Sequence, residues 1–447
     1  MSTAKSAATS PKNDPRTITG WAFFDWANSA YALVITVAIF PGYFLQVTND
    51  RVRVLGYEMS DSTLYAWSIS LAYLVIAMLS PLLSGIADYG GKKKAFLRFF
   101  TLLGSLACIS LFFFKGMPTL WVGVSGFILA TIGFAGGIVF YNAFLPIIAT
   151  EDQYDRVSAK GFSYGYLGSV ILLVANLIVI SNYKMFGFKE DLLAVPTAFV
   201  MVGLWWIGFA QIPLNILPED KTRQANVNLF TKGYEEIRKV WRVVRRDRNT
   251  LAFLTAFFFY NAGVNAVLFL ASVFAEKVLH FTTKGLILLV LILQIVAMLG
   301  AWLSTKVSDR KGNKFSLMIQ LVIWTAICAT GYWITSGLEF YFLAAGVGLV
   351  MGGIQALSRS TYAKLLPENT PDTASYFSFY DVMDKVSTVA GTFVFGFVEQ
   401  IVRSSGIFPL EHESDAMRFS VLALAIFFIV SLFVMTAVRV QRMTVHE

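Results

Sequence analysis

The chain has 447 residues, 56% of them hydrophobic, 15% aromatic and only 14% charged, with a formal net charge of +8. A soluble domain has about a quarter charged residues; here the apolar residues form runs of about twenty, enough at about 1.5 Å per residue to cross roughly 30 Å of hydrocarbon. Continuous runs without strict alternation exclude a soluble globule and a β-barrel, leaving an all-α integral membrane protein.

Residues 1–17 read as a polar tail without a cleavable signal pattern, because the first apolar run carries Asp25 and leads straight into the rest. Twelve spans are expected at 18–46, 64–86, 95–114, 119–141, 160–182, 193–216, 251–276, 283–305, 314–335, 338–365, 375–401 and 416–438. Six-span bundles at 18–216 and 251–438 flank a basic linker, 217–250, and residues 439–447 form a second tail. With both termini in the cytoplasm, the inner segments hold 26 of the 36 lysines and arginines and the outer loops 9. The basic charge is then topological, which argues against nucleic acid. In the linker, Phe230, Tyr234, Ile237, Trp241 and Val244 recur at spacings of three and four among Arg238, Lys239, Arg242, Arg245, Arg246 and Arg248. That pattern predicts a surface-lying helix, a tether between bundles rather than a docking site. Cys108 and Cys328 fall inside apolar runs and are expected to pack there.

Residues 85–94 combine Gly85, Asp88, Gly90, Gly91 and three lysines between two spans, and 305–314 repeat the theme around Asp309, Arg310 and Gly312. Asp88 and Asp309 are 221 residues apart, as are Leu145-Pro146 and Leu366-Pro367. Equal offsets at equivalent places indicate two duplicated halves, a plan that puts a transport site between them at mid-membrane. Charges inside spans are costly and point to function. They are Asp25, Arg359, and Asp381, Asp384 and Lys385 on one helix, with Asp381 and Lys385 four apart.

The stretch 85–94 resembles the loop between helices two and three of the major facilitator superfamily, Gly-x-x-x-Asp-Arg-x-Gly-Arg-Arg/Lys. Gly85, Asp88 and 92–94 match, while Tyr89 replaces the usual basic residue and the glycine is doubled. More narrowly, the chain resembles the autophagy-related vacuolar amino-acid effluxers and their bacterial relatives. The resemblance is carried by Gly20-Trp21, by Asp25-Trp26-Ala27-Asn28-Ser29-Ala30-Tyr31 and by Phe140-Tyr141-Asn142-Ala143-Phe144-Leu145-Pro146. Val157-Ser158-Ala159-Lys160-Gly161-Phe162 and Gln355-Ala356-Leu357-Ser358-Arg359-Ser360 add to it. Where relatives often read Tyr-Asn-Asp-Gly, this chain has Tyr260-Asn261-Ala262-Gly263, so that carboxylate's role does not carry over.

The resemblance implies twelve helices in two pseudo-symmetric bundles, and a secondary transporter that exports amino acids or similar small metabolites by alternating access. It makes spans 1, 4, 7 and 10 line the cavity. The substrate-binding candidates are therefore Asp25, Asn28 and Tyr31, then Tyr141 and Asn142, then Tyr260, Asn261 and Asn265, then Gln355 and Arg359. The gating candidates are Gly85, Asp88, Lys92, Asp309, Arg310, Asp381, Asp384 and Lys385, with Asp88 capping the start of span 11 near Ser375. A monomer in a bacterial inner membrane is expected, using a small-molecule substrate and a co-transported proton, assigned to Asp25, or another ion. Peptides, nucleosides, drugs and a receptor-like role are the alternatives. No metal site, cofactor or enzyme is expected. His280, His412 and His446 are scattered, Tyr380-Asp381 lacks a Gly-x-Gly-Asp partner, and no phosphate-binding Gly-rich loop is present.

Overall fold

A computed structural model describes residues 11–439 except 50, 55–56, 220–228, 282, 369 and 406–415. Among these residues, 12 helices are long and apolar enough to span a bilayer. Spans 1–6 are Pro15–Val47, Trp67–Gly90, Lys93–Phe113, Met117–Ile148, Glu151–Ser181 and Leu192–Ile216. Spans 7–12 are Arg248–Leu268, Leu288–Lys311, Asn313–Trp333, Gly337–Lys364, Thr373–Val402 and Ala416–Ala437. An even number places both ends of the bundle on one face, the linker face.

Several helices begin before their first apolar residue, because polar caps extend them beyond the hydrocarbon. Span 1 starts at Pro15, with Asp14 accepting from the Thr17 amide, and span 7 starts at Arg248, where Asp247 accepts from Asn249 and Thr250. Span 10 opens with a reciprocal Ser336–Glu339 capping box. Span 1 widens into a π-helix over Tyr31–Ile39 just before Pro41, and the Phe40 amide donates to Ile35. Between spans 1 and 2, β1 (Arg51–Val54) pairs antiparallel with β2 (Tyr57–Ser60), a hairpin that the apolar pattern does not announce.

The duplication is visible in the backbone. Gly91 (φ 60°) and Gly312 (φ 85°), again 221 apart, turn the chain from span 2 to 3 and from span 8 to 9. Both sit in left-handed conformations that favour glycine. Gly85 has a different task. A Cβ there would lie 2.2 Å from the Gly233 carbonyl oxygen, so span 2 and the linker helix Leu229–Arg246 cross backbone to backbone. Val240 and Val244 of that helix are buried, and Trp241 stacks on Phe379 with ring centroids 5.5 Å apart. Phe230 and Tyr234 point outward, 67% and 63% exposed. The bundles meet where span 2 packs on span 11 and span 5 on spans 8 and 10.

Candidate functional site: an inter-bundle latch and a polar cluster

Arg359, in the last turns of span 10, reaches across to the other bundle. Its Nη1 lies 3.3 Å from Asp25 Oδ2 and donates to Asn142 Oδ1 at 3.3 Å. Its Nε donates to Ser158 Oγ at 2.9 Å and its Nη2 to the Ser158 carbonyl at 2.7 Å. Tyr141 donates to the same Asp25 oxygen at 2.8 Å, and the guanidinium carbon sits 4.2 Å from the centre of the Phe162 ring and 4.8 Å from that of Trp21. Both charges are buried, Arg359 3% exposed and Asp25 5%. Neutralisation and dense hydrogen bonding make that burial tolerable. Gly161 is required beside them, since a Cβ there would lie 2.7 Å from Tyr141 Oη and 2.9 Å from Arg359 Nη2.

Further ties run along the same face. Asp88 accepts from the Ala374 and Ser375 amides at the start of span 11, at 3.2 and 2.7 Å. Its cation is the buried Lys93, at 2.9 Å, which also donates to Pro371 O; the neighbouring Lys92 is exposed. Lys93 rather than Lys92 therefore shares the contact, because the turn at Gly91 directs the first helical side chain of span 3 inward.

The second half does not copy the first. Asp309 pairs with Arg156 at 3.0 Å on the surface, and Arg310 is exposed. The buried acid there is Asp155, which receives Lys364 (2.9 Å), Asn313 (2.7 Å) and Ser308 (2.8 Å). Beside it, Pro146 and Pro367 of the repeated Leu-Pro pairs both border a cavity of about 230 Å³ between the bundles. Lys239 joins the linker helix to Asp372 at 2.8 Å, and this hydrogen bond raises the pKa of its ammonium.

Deeper in the membrane, Tyr166 donates to Gln355 at 2.6 Å, and Tyr260 pairs with Ser358 at 2.6 Å. A second polar group lies inside the C-terminal bundle. Lys385 contacts Asp381 at 3.0 Å and Asp384 at 2.7 Å; Asn261 donates to Asp384 and Ser387, each at 2.7 Å, and Asn265 to Thr388 at 2.8 Å. The Asp384 side chain remains 32% exposed.

A family model described as "Vacuole effluxer Atg22 like" matches residues 13–447. The chain belongs to the Atg22-like family. It is 30% identical over 395 residues to the uncharacterized MFS-type transporter YxiO of Bacillus subtilis, covering 87% of this chain and 90% of that one. It is 24% identical to autophagy-related protein 22 of Saccharomyces cerevisiae, over 79% of this chain and 74% of the yeast protein. The fold is shared with the human organic anion transporter MFSD10, with a TM-score of 0.69 at 12% identity, covering 95% of this chain and all (100%) of that one. FucP in its outward conformation gives a TM-score of 0.64 at 15% identity, over 94% and 99% of the two chains. This Atg22-like chain is a multi-pass membrane transporter of the major facilitator superfamily and not an enzyme.

At the position where relatives often carry an acid, Ala262 is fully buried, and a Cβ on Gly391 would lie 2.0 Å from the Ala262 carbonyl oxygen, so the backbones of spans 7 and 11 touch here and position 391 requires glycine. The carboxylate beside Asn261 is Asp384, from span 11. Of the remaining candidates, Tyr31 packs within the N-terminal bundle against Phe134 and Trp206, its hydroxyl 2.7 Å from Thr131. Asn28 is fully buried, with neither amide atom hydrogen-bonded. Sequence reasoning missed Ser158, Lys93, Asp155, Lys364 and Tyr166 as working residues. Ser158 lay inside a stretch carrying the resemblance; Lys93, Asp155 and Lys364 lie at helix ends, where a charge is ordinary, and Tyr166 lies within span 5, where a lone tyrosine gives no signal.

Proposed function

We propose that this chain moves a small metabolite, with amino acids as the substrate class, across the membrane by alternating access as a secondary active exporter. The observation that carries this reading is the buried Arg359–Asp25 pair, which joins the two bundles through side chains of spans 1, 4, 5 and 10. Every inter-bundle hydrogen bond and ion pair described above lies between the linker face and mid-membrane. Such contacts exist while that face is closed and are lost when it opens, which is the bistable element an alternating carrier needs.

The linker face is the cytoplasmic one in this reading, in a bacterial inner membrane, supported by its excess of lysine and arginine. Gly85, Asp88, Lys93, Asp155, Lys364 and the Arg359 latch form the inner gate. Asn261, Asn265, Gln355 and the partly exposed Asp384 line the path to the solute. Export is favoured because the family description is that of a vacuole effluxer, and amino acids because the motifs of spans 1, 4 and 10 resemble those of amino-acid effluxers and a carboxylate at Asp384 suits an ammonium. The protein works as a monomer, each chain holding a complete pair of bundles.

Counterflow tests this. Proteoliposomes preloaded with unlabelled amino acids should accumulate a radiolabelled amino-acid mixture well above protein-free vesicles. Equal accumulation in both would refute the reading, and uptake of nucleosides or dipeptides alone would refute the substrate class.

A further inference from the structure

Four buried ion clusters are present among the described residues, and three are balanced one to one. These are Lys93 with Asp88, Arg359 with Asp25, and Lys364 with Asp155. The fourth sets two carboxylates, Asp381 and Asp384, against the single ammonium of Lys385. Formally it carries one excess negative charge inside the membrane. Asp384 is well supplied with donors, since Oδ1 accepts from Asn261 and Oδ2 from Lys385. Asp381 is not. Its Oδ1 meets Lys385, but Oδ2 is buried with no hydrogen-bond partner, on a residue only 3% exposed. An unpaired carboxylate oxygen in a cluster with surplus negative charge is costly in a low dielectric.

We propose that Asp381, with Asp384 and Lys385, is the binding site of the coupled proton. This rests on the transporter reading above. It moves coupling away from Asp25, whose charge Arg359 already neutralises. The groups facing the triad from neighbouring elements are few. Span 2 supplies the Tyr73 ring, centred 5.5 Å from Lys385 Nζ, and span 7 supplies the uncharged amides of Asn261 and Asn265. Span 11 adds the hydroxyls of Ser387 and Thr388 and the phenol of Tyr380, the last lying within the fields of Asp384, of Tyr260 on span 7 and of Arg359 on span 10. The charges acting on Asp381 itself are those of Lys385 and Asp384.

The coordination chemistry favours a proton over a sodium ion. An alkali cation must exchange its water shell for several oxygens, whereas the oxygens of Asp384, Ser387 and Thr388 already accept from Lys385, Asn261 and Asn265. One free carboxylate oxygen suffices for a proton. Asp384, whose side chain remains 32% exposed, takes the proton from hydronium and passes it to Asp381. The hydronium O–H bond breaks and leaves a water molecule, an O–H bond forms on the Asp381 carboxyl, and the cluster goes from one negative charge to neutral. Neutral Asp381 no longer attracts Lys385 by charge, which leaves the ammonium to Asp384 and changes its contact with Tyr73 of span 2, the helix whose Asp88 holds the start of span 11 in the closed gate.

A substrate-free measurement tests the site. Reconstituted protein on a solid-supported membrane receives a pH jump, and the displaced charge is recorded. The parent and an Asp152→Asn control should respond, Asp381→Asn should not, and Asp381→Glu should respond with a shifted pH midpoint. An undiminished response in Asp381→Asn overturns the proposal, as does a sodium jump at constant pH that displaces the same charge. If Asp381→Asn does not fold, the glutamate variant decides, and an unshifted midpoint there overturns it. Counterflow needs no ion gradient, so failure of the transport reading shows separately.

Discussion

Replacing Asp88 by asparagine isolates the inner gate from the rest of the fold. Asp88 accepts from the Ala374 and Ser375 amides, at 3.2 and 2.7 Å, across the boundary between bundles, while its pairing with Lys93 stays within one bundle. Only the two amide bonds are therefore lost when the linker face opens. Asparagine keeps one acceptor oxygen and presents an N–H₂ group in place of the other, so one bond to a charged acceptor disappears. A hydrogen bond to a charged group contributes roughly 1.5–3 kcal/mol, so the closed state loses about 2 kcal/mol relative to the open one, or about 30-fold in population. The assay is thiol labelling from the linker side at Ala159→Cys, a position 6% exposed and packed against Ala301 and Ala356 of the other bundle, with Cys108 and Cys328 replaced by alanine. The labelling rate should rise by about the same factor in Asp88→Asn. An unchanged rate in a variant that melts at the parent's temperature would refute the argument.

Two other outcomes follow from the packing. Arg359→Met strands the buried Asp25 charge and should lower stability by about 3–5 kcal/mol, read as a lower melting temperature in detergent. Adding Asp25→Asn should recover part of that loss, and strictly additive losses would show that the two do not act as a pair. Gly85→Val forces the linker helix off span 2, because even a Cβ comes within 2.2 Å of the Gly233 carbonyl. Overpacking of this kind costs about 1–3 kcal/mol, and trypsin should cut the linker arginines faster; equal cleavage would mean that the two helices are not held by this contact.

The spans and the duplication were legible in the sequence for simple reasons. Twenty apolar residues have one stable arrangement in lipid, and a left-handed glycine at 91 and again at 312 leaves a trace at a fixed offset. Span edges were less legible, since Asp14, Asp247 and Ser336 extend helices by capping, which hydropathy does not register. The linker helix was legible as amphipathic, but not which side packs. Gly233, Val240 and Val244 face span 2 or the core, whereas Phe230 and Tyr234, which set the apolar spacing, point outward.

By itself, then, the sequence determined that this is a two-bundle, twelve-span carrier and which ionisable groups lie in its membrane interior, because burial in lipid is a question of composition over a length. Apart from Asp381 and Lys385, four apart on one helix, tertiary structure alone decided which charges meet. Arg359 and Asp25 are 334 residues apart, and nothing local distinguishes Lys93, which is buried on Asp88, from Lys92, which is exposed. Pairing depends on how two bundles face one another, and an ion's role follows from the count of partners around it. That count separates the balanced Asp25 from Asp381, whose second oxygen has none.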